Sequence, residues 1–360
     1  MQNGVYLLLL VIFFLSCKKD LPIVAGCTNS SAINYNPNST LDDGSCQFTT
    51  PYQIIIPPGF PAMQIPTDNP MTVEGVALGK KIFNDPILSA DLTQSCASCH
   101  LQSAVFSDTN RFSTGIDGLQ GERNASTIIN AGWNNSNFWD GRAATLEDQA
   151  FEPIINPIEM HNTWSNVEDA LNSDTNYKDL FKKAFDIDYI DSIHVVKAIA
   201  QFERTLISSN SKYDQYLRQE IQLTPSELNG YVIFNTEKGD CFHCHGTEMF
   251  MDNLFHNNGL DTEPFTDLGL GQVTGLSADN GKFKVPTLRN IEFSAPYMHD
   301  GRFSSLEEVV EHYSSGLNYS STVDPLMKKL NMGGLHLTNQ EKQDLINFLK
   351  TLSDTDFITN

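Results

Sequence analysis

Two five-residue stretches decide how this sequence is read: Cys96-Ala97-Ser98-Cys99-His100 and Cys241-Phe242-His243-Cys244-His245. Each has the C-x-x-C-H spacing that attaches a c-type haem, in which the two thiols bond to the vinyl groups and the histidine binds the iron. A pair of redox or zinc-binding C-x-x-C motifs fits worse, because four thiolates would leave both trailing histidines without a role. The sequence therefore predicts two covalently bound c-type haems.

The composition limits the classes of partner. The chain has 360 residues, with 44 acidic and 23 basic side chains and a formal net charge of −21. That length is enough to bury the cores of two domains. The negative charge argues against nucleic-acid binding. A basic or dipolar protein is the more plausible partner.

The N-terminus indicates export. An apolar run from Val5 to Leu15 is too short to span a bilayer and ends close to Cys17, as in a bacterial lipoprotein signal. We therefore expect a lipoprotein-type signal peptide over residues 1–16 and acylation of Cys17. Such a protein would face the periplasm and be held to a bacterial membrane by lipid. An ordinary signal peptide, which leaves a soluble periplasmic protein, is the alternative.

A loop and a linker are expected before the helical body. Cys27 and Cys46 enclose a turn-rich stretch, which predicts one disulfide in an oxidising compartment. Residues 17–50 are interpreted as the anchor and this closed loop. Residues 51–70 are rich in proline and are interpreted as an extended linker that lifts the body off its anchor.

Helical patterns dominate the rest of the chain. One spans Val73 to Asn84, and a longer one runs from Asp191, a good N-cap, to Ile207. Capping boxes at Thr224 and Thr338 open two further helices. Strand signals are sparse. The predicted fold class is mainly α, preceded by an irregular N-terminal tether.

An internal repeat relates the two boxes. Gly79-x-x-Ile82-Phe83-Asn84 and Gly230-x-x-Ile233-Phe234-Asn235 each precede a box. Further along, Asp140-Gly141-Arg142 matches Asp300-Gly301-Arg302 at the same offset as several neighbouring positions. The repeat predicts two cytochrome c-like haem domains, over residues 71–219 and 220–355.

The repeat also makes the two irons unequal. Pro153 in the first copy corresponds to Tyr313 in the second. Proline cannot bind iron, whereas a tyrosine oxygen can. We therefore expect an open iron in the first copy and a six-coordinate iron in the second. A buried aromatic residue on a helix is the alternative reading of Tyr313.

Further motifs run in order from about residue 72 to 352. They are Leu78-Gly79-Lys80-Lys81-Ile82-Phe83, Arg123-Asn124-Ala125, Phe138-Trp139-Asp140-Gly141-Arg142-Ala143, Pro157-Ile158-Glu159-Met160, Phe202-Glu203-Arg204-Thr205-Leu206, Val285-Pro286-Thr287-Leu288-Arg289-Asn290 and Ala295-Pro296-Tyr297-Met298-His299-Asp300-Gly301. Together with the boxes, they resemble the bacterial dihaem cytochrome c peroxidases and the related enzyme MauG.

This resemblance implies the roles of several side chains. The first haem would be the peroxidatic one, with Glu159 as distal acid/base, Gln149 as a polar neighbour and Phe138 lining the pocket. A carboxylate above an open iron could transfer a proton from one peroxide oxygen to the other. Trp139 would be an electron relay between the haems. A surface carboxylate and plain core packing are the alternatives for Glu159 and Trp139.

The resemblance also implies a calcium ion between the domains. Its matching positions are the side chain of Asn124 and the backbone carbonyls of Ser294 and Pro296. Hard oxygen ligands of this kind suit calcium.

Two positions depart from the common peroxidase pattern. Many family members keep a histidine on the loop after the first box, where this chain has Ile116, and residues 101–160 contain no histidine. We therefore expect a first haem that is open without reductive activation. Typical peroxidases have methionine where this chain has Tyr313, and MauG has tyrosine there. Met298 is the rival ligand of the second iron.

The sequence thus predicts a cytochrome-c peroxidase-type enzyme that reduces hydrogen peroxide to water. Electrons would come from a small cytochrome c or copper protein. One alternative is a MauG-like enzyme that uses high-valent haem to oxidise a protein or small substrate. Another is a dihaem electron carrier without catalysis. A homodimer is one assembly that the sequence leaves open.

Overall fold

The computed structural model describes residues 22–30 and 32–359. By its internal contacts, the chain divides into a small unit that ends at Phe48 and a large unit that begins at Thr49. The predicted signal peptide and Cys17 lie outside the described residues. Within the described ranges, every helix is too short or too polar to cross a membrane.

The small unit is closed by the predicted disulfide. Cys27 and Cys46 are bonded with an S–S distance of 2.03 Å, so this pairing is confirmed. Two short parallel strands, β1 (Ala25–Gly26) and β2 (Leu41–Asp42), lie between and beside the cysteines. The Asn34 side chain donates to Ser45 O at 2.7 Å and accepts from Gln47 N at 2.8 Å. These local bonds replace a hydrophobic core in so short a segment.

The large unit is mainly helical, as the sequence predicts. Its strands are β3 (Phe255–His256) and β4 (Phe283–Lys284), which pair antiparallel. Its helices are α1 (Val73–Asn84), α2 (Cys96–Cys99), α3 (Leu146–Ile155), α4 (Trp164–Ser173), α5 (Thr175–Phe185), α6 (Ser192–Glu203), α7 (Lys212–Leu217), α8 (Pro225–Phe234), α9 (Phe242–His245), α10 (Leu270–Thr274), α11 (Leu306–Ser315), α12 (Asn339–Lys350) and α13 (Thr355–Thr359).

Local capping signals set the starts of several helices. Asp191 accepts a hydrogen bond from His194 N, and Thr224 and Thr338 form the predicted capping boxes. Each such cap contributes about 1 kcal/mol. The helix that begins after Asp191 ends at Glu203, earlier than the predicted Ile207, because the chain beyond it bonds to Asn130 instead. Asn130 N donates to Leu206 O at 2.8 Å, and Ser208 N donates to Asn130 Oδ1 at 3.0 Å.

The first core cluster is built on the crossing of α1 and α6. Gly79 lies at the crossing, and a Cβ there would overlap the carbonyl oxygen of Ala198. Glycine is therefore required by the close approach of the two backbones. Phe83 and Phe202 pack beside it with ring centroids 5.2 Å apart. The chain end returns to this cluster, since Phe357 packs on Phe106 at 5.8 Å.

The second core cluster repeats this arrangement with α8 and α12. Gly230 lies at the crossing, and a Cβ there would overlap the carbonyl oxygen of Asp344. Phe234 and Phe348 pack with centroids 5.2 Å apart and an interplanar angle of 60°, the same values as for Phe83 and Phe202. The two helix pairs thus have matching crossings with matching aromatic contacts.

The proline-rich segment is packed on the body. Met63 is buried, Trp133 Nε1 donates to Pro61 O at 2.8 Å, and the Arg289 guanidinium lies 4.4 Å from the centre of the Phe60 ring. The apolar side chains between the prolines favour this docking, because contact with the body removes their hydrophobic surface from water. The segment predicted to be an extended linker is therefore docked on the body along part of its length.

Candidate functional site

The first box forms a single helical turn. Ser95 caps α2, and His100 follows its last residue. The Nδ1 atom of His100 lies 2.9 Å from Phe106 O, which orients the ring and leaves Nε2 for a metal. Burial lowers the pKa of His100, which favours the neutral, ligating form of the imidazole.

The second box has the same local geometry. The Nδ1 atom of His245 lies 2.7 Å from Phe250 O, and burial lowers the pKa of this imidazole too. His243, inside the box, lies 2.7 Å from Asp240 through its Nδ1.

A cavity of about 880 Å³ lies over the first box. It is bordered by Cys96, Cys99 and His100, so its donors fit a covalently attached haem. The predicted site residues share this cavity, although they come from separate parts of the chain: Phe138, Trp139, Gln149, Pro153 and Glu159 all line it. His100, the predicted iron ligand, and Glu159, the predicted acid/base, therefore line one cavity.

Glu159 is held in place by its neighbours. Asn156 Nδ2 donates to Glu159 Oε1 at 2.7 Å, and Ile116 N donates to Glu159 O at 3.0 Å. Burial raises the pKa of Glu159, and the Asn156 hydrogen bond opposes this effect. The loop position where many family members have histidine is thus occupied by Ile116, bonded to the backbone of Glu159. His161 lies on the surface and pairs with Asp117 at 2.5 Å.

A smaller cavity, of about 240 Å³, lies over the second box. It is bordered by Cys241, Cys244 and His245, and it is also lined by Met298 and Tyr313. Its donor set fits a second covalently attached haem. Both rival ligands therefore reach the same site as His245.

Asn258 contacts both rival ligands and was missed by sequence reasoning. Its Nδ2 atom lies 3.1 Å from Tyr313 Oη and 3.7 Å from Met298 Sδ. Burial raises the pKa of Tyr313 to about 12, and the Asn258 hydrogen bond opposes the shift. No signal near Asn258 in the sequence links it to residues so far along the chain.

Trp139 lines both cavities. Its Nε1 donates to Asn124 O at 2.8 Å, which fixes the ring between the two boxes. The wall that the cavities share is otherwise formed by residues 124–127 and Lys284.

Comparison with known proteins gives the family. A sequence model described as di-haem cytochrome c peroxidase matches residues 73–222. The methylamine utilization protein MauG of Methylophilus methylotrophus is 34% identical over 294 residues, which are 80% of this chain and 84% of that protein. The chain belongs to the di-haem cytochrome c peroxidase family. Membership in this family implies two c-type haems.

Other relatives carry both peroxidase and MauG names. The cytochrome c551 peroxidase of Nitrosomonas europaea is 36% identical over 303 residues, covering 81% of this chain and 84% of that protein. The crystal structure of a MauG-like protein associated with microbial copper homeostasis is 36% identical, with a TM-score of 0.80, and covers 85% of this chain and 97% of that chain. The family is thus an oxidoreductase family of the peroxidase type.

The three positions at which the resemblance implies a calcium ion lie at the second cavity. Asn124, Ser294 and Pro296 all line the second cavity. The Asn124 amide nitrogen is engaged, since it donates to Asn110 O at 3.1 Å and to Arg111 O at 3.2 Å. Oxygen donors of this kind fit calcium.

Three ionisable groups at the two cavities have no role in the sequence analysis: His256, which is partly buried, and Glu203 and Lys284, which are buried. His256 lies between Asp252 and Asp324, at 2.7 Å and 2.5 Å, beside the second cavity. Glu203 is buried at the first cavity, and its Oε2 has no hydrogen-bond partner. Lys284 is buried between the two cavities. Glu203 belongs to one of the motifs given above, but neither that motif nor the surroundings of His256 and Lys284 in the sequence place these side chains at a cavity, so only the fold reveals it.

Proposed function

We propose that this protein is a dihaem peroxidase that reduces hydrogen peroxide to two waters, using two electrons and two protons. The observation that carries the proposal is the open first cavity, in which the Glu159 carboxylate shares the space over His100 with no histidine on the covering loop. A reaction in the fully oxidised protein, without prior reduction, follows from that opening.

His100, with Cys96 and Cys99, would hold the first haem, and His245, with Cys241 and Cys244, the second. When bound, the haem pair supplies redox-active iron at both sites. The residues of the chain then position peroxide and move protons. Glu159 takes a proton from one peroxide oxygen at its carboxylate and returns it to the other, while the Gln149 side chain, from the same cavity, orients the substrate.

Electrons would enter at the second site and reach the first by way of Trp139. The support is its position in the wall of both cavities and its fixed indole. Tyr313 would be the second protein ligand of the second iron, and Met298 is the rival for that position. Asn258 holds the tyrosine oxygen at 3.1 Å and is farther from the methionine sulfur, which favours tyrosine.

We also propose that the body consists of two copies of one haem-binding unit, over residues 71–219 and 220–355. Matching helix crossings at Gly79 and Gly230 support this proposal. A further support is the positive φ of Asn130 and of Asn290, 54° and 58°, each before a short 3₁₀ turn. A calcium ion held by Asn124, Ser294 and Pro296 would join the copies.

The cellular setting is part of the proposal. Export through the signal peptide and a lipid on Cys17 would place the protein on the periplasmic face of a bacterial membrane. The disulfide between Cys27 and Cys46 supports an oxidising compartment. A small cytochrome c or copper protein would be the donor there, and a homodimer remains an assembly to be tested.

A MauG-like function is the second candidate, in which the haem pair withdraws electrons from a protein or small organic substrate. Tyr313 at the second site and the absence of a loop histidine at the first favour it. A non-catalytic carrier is less well supported. Pro153 lines the first cavity where Tyr313 lines the second, and an open first iron would have little use in a protein that only carries electrons.

One assay separates the three functions. Peroxide consumption is measured in the steady state with a reduced small cytochrome or copper protein as donor. Sustained turnover supports the peroxidase. A long-lived state oxidised by two equivalents, with negligible donor-driven turnover, supports the MauG-like enzyme. No reaction with peroxide would leave the carrier and refute the other two.

A further inference from the structure

Lys284 is a buried cation at the junction of the two haem cavities. Its side chain belongs to a residue that is only 9% exposed, on strand β4. It lines the cavity over His100 and the cavity over His245. Its backbone N donates to Trp139 O at 2.8 Å, which fixes the strand against the shared wall. Of the residues that line both cavities, Lys284 is the charged one.

The Lys284 ammonium has no partner among the described residues. Its Nζ makes no hydrogen bond or ion pair with them, and burial alone accounts for the lowered pKa of this side chain, about 8. A buried cation without a counter-charge is costly, and proteins normally pair it. The Lys284 ammonium is therefore positioned to bind an anion, and the described residues do not supply that anion.

The other cations of the first cavity are already paired. Arg123 contacts Asp140 at 2.6 Å and Asp267 at 2.7 Å. Arg142 contacts Asp140 at 3.0 Å and Glu152 at 2.7 Å. At the second cavity, Lys328 and Lys329 are both exposed, and Lys328 pairs with Glu237 at 2.7 Å. Lys284 is thus the buried cation that remains available to an anion bound at the shared wall.

We propose that Lys284 binds a haem propionate at the junction of the two cavities. A c-type haem carries two carboxylates on the edge opposite its thioether bonds, and an ammonium is a suitable partner for a carboxylate. The cation also lies next to the backbone of Trp139, so it contributes positive charge along the proposed electron route. This inference rests on the proposed occupation of both cavities by haem, and it adds a residue that tunes their potentials.

The test compares Lys284→Met with Lys282→Met in the full haem-loaded protein. Lys282 is the matched control, since it lies two residues earlier and pairs with Asp279 at 3.0 Å outside both cavities. Mass spectrometry first establishes that each variant carries two haems. The propionate bending band is then measured by resonance Raman spectroscopy, and the potentials of both haems by spectroscopically monitored redox titration.

We expect Lys284→Met to shift the propionate band and to lower the reduction potential of the haem that Lys284 contacts. The potential falls because a nearby positive charge disfavours the ferric state and its removal relieves that effect. A shift confined to the first haem or to the second identifies the source of the propionate. Lys282→Met should leave the band and both potentials unchanged, and Lys284→Arg should largely preserve them.

The inference is overturned if Lys284→Met leaves the band and both potentials at the values of Lys282→Met. If Lys284→Met does not accumulate with two haems, Lys284→Gln takes its place with the same expected directions and a smaller shift. Wild-type values in Lys284→Gln would then refute the inference. All these measurements are made without peroxide, so a failure of the peroxidase proposal is recognised separately.

Discussion

Replacing Glu159 with glutamine tests the chemistry proposed at the first cavity. Glutamine is nearly isosteric, and its Oε1 can still accept the hydrogen bond that Asn156 Nδ2 makes to Glu159 Oε1 at 2.7 Å. The Glu159→Gln variant should therefore keep its fold and haem content. What it loses is the group that accepts and returns a proton.

General acid–base catalysis contributes about 10²- to 10⁴-fold to a rate. We expect kcat/KM for peroxide to fall by that factor in Glu159→Gln, which corresponds to about 3 to 5 kcal/mol of transition-state stabilisation. The carboxylate must be ionised to accept the proton from peroxide. Because burial raises the pKa of Glu159, wild-type activity should decline on acidification at a higher pH than an exposed glutamate would give, and Glu159→Gln should lack this decline.

The assay is stopped-flow reaction of the oxidised protein with peroxide across a pH series. Asp117→Asn is the matched control, since this carboxylate lies on the neighbouring loop, half-exposed, and pairs with His161 outside the cavity. The control should react as the wild type does. The assignment of Glu159 as the acid/base would be refuted if Glu159→Gln reacted at wild-type rates and showed the same decline in rate at low pH.

Three other predictions concern the second iron, the electron route and the core. Tyr313→Phe should change the absorption and electron paramagnetic resonance spectra of the second haem while Met298→Leu leaves them unchanged, and the reverse result would make methionine the ligand. Trp139→Leu should slow donor-driven turnover by about tenfold, which corresponds to about 1.4 kcal/mol of activation free energy. The oxidised protein should still react with peroxide in a single turnover. Equal slowing of both reactions would contradict a role for Trp139 as a relay. Gly79→Ala should lower the free energy of unfolding by about 2 kcal/mol in denaturant titrations, because the added methyl group overlaps backbone that cannot yield. Gly121→Ala should not, because its added methyl group would meet only the Arg123 carbonyl oxygen, at an ordinary contact distance of 3.8 Å.

Local motifs allowed much of the fold to be predicted. The two boxes, the capping boxes at Thr224 and Thr338 and the disulfide between Cys27 and Cys46 depend on residues close in sequence, so spacing alone reveals them. The mainly helical class followed from apolar periodicity for the same reason. The docking of the proline-rich segment was not predicted, because it depends on a surface that distant residues such as Trp133 create.

The sequence by itself predicted two haem-binding histidines with their cysteine pairs, because each C-x-x-C-H motif lies within five consecutive residues. It also predicted, through Pro153 and Tyr313, that the two sites are unequal. Only the tertiary structure decided which side chains share a cavity with each histidine. Asn258 meets Tyr313 and Met298, and Lys284 reaches both cavities, because helix crossings bring together segments far apart along the chain. Such long-range placement depends on the packing of the whole body, and no short stretch of sequence encodes it.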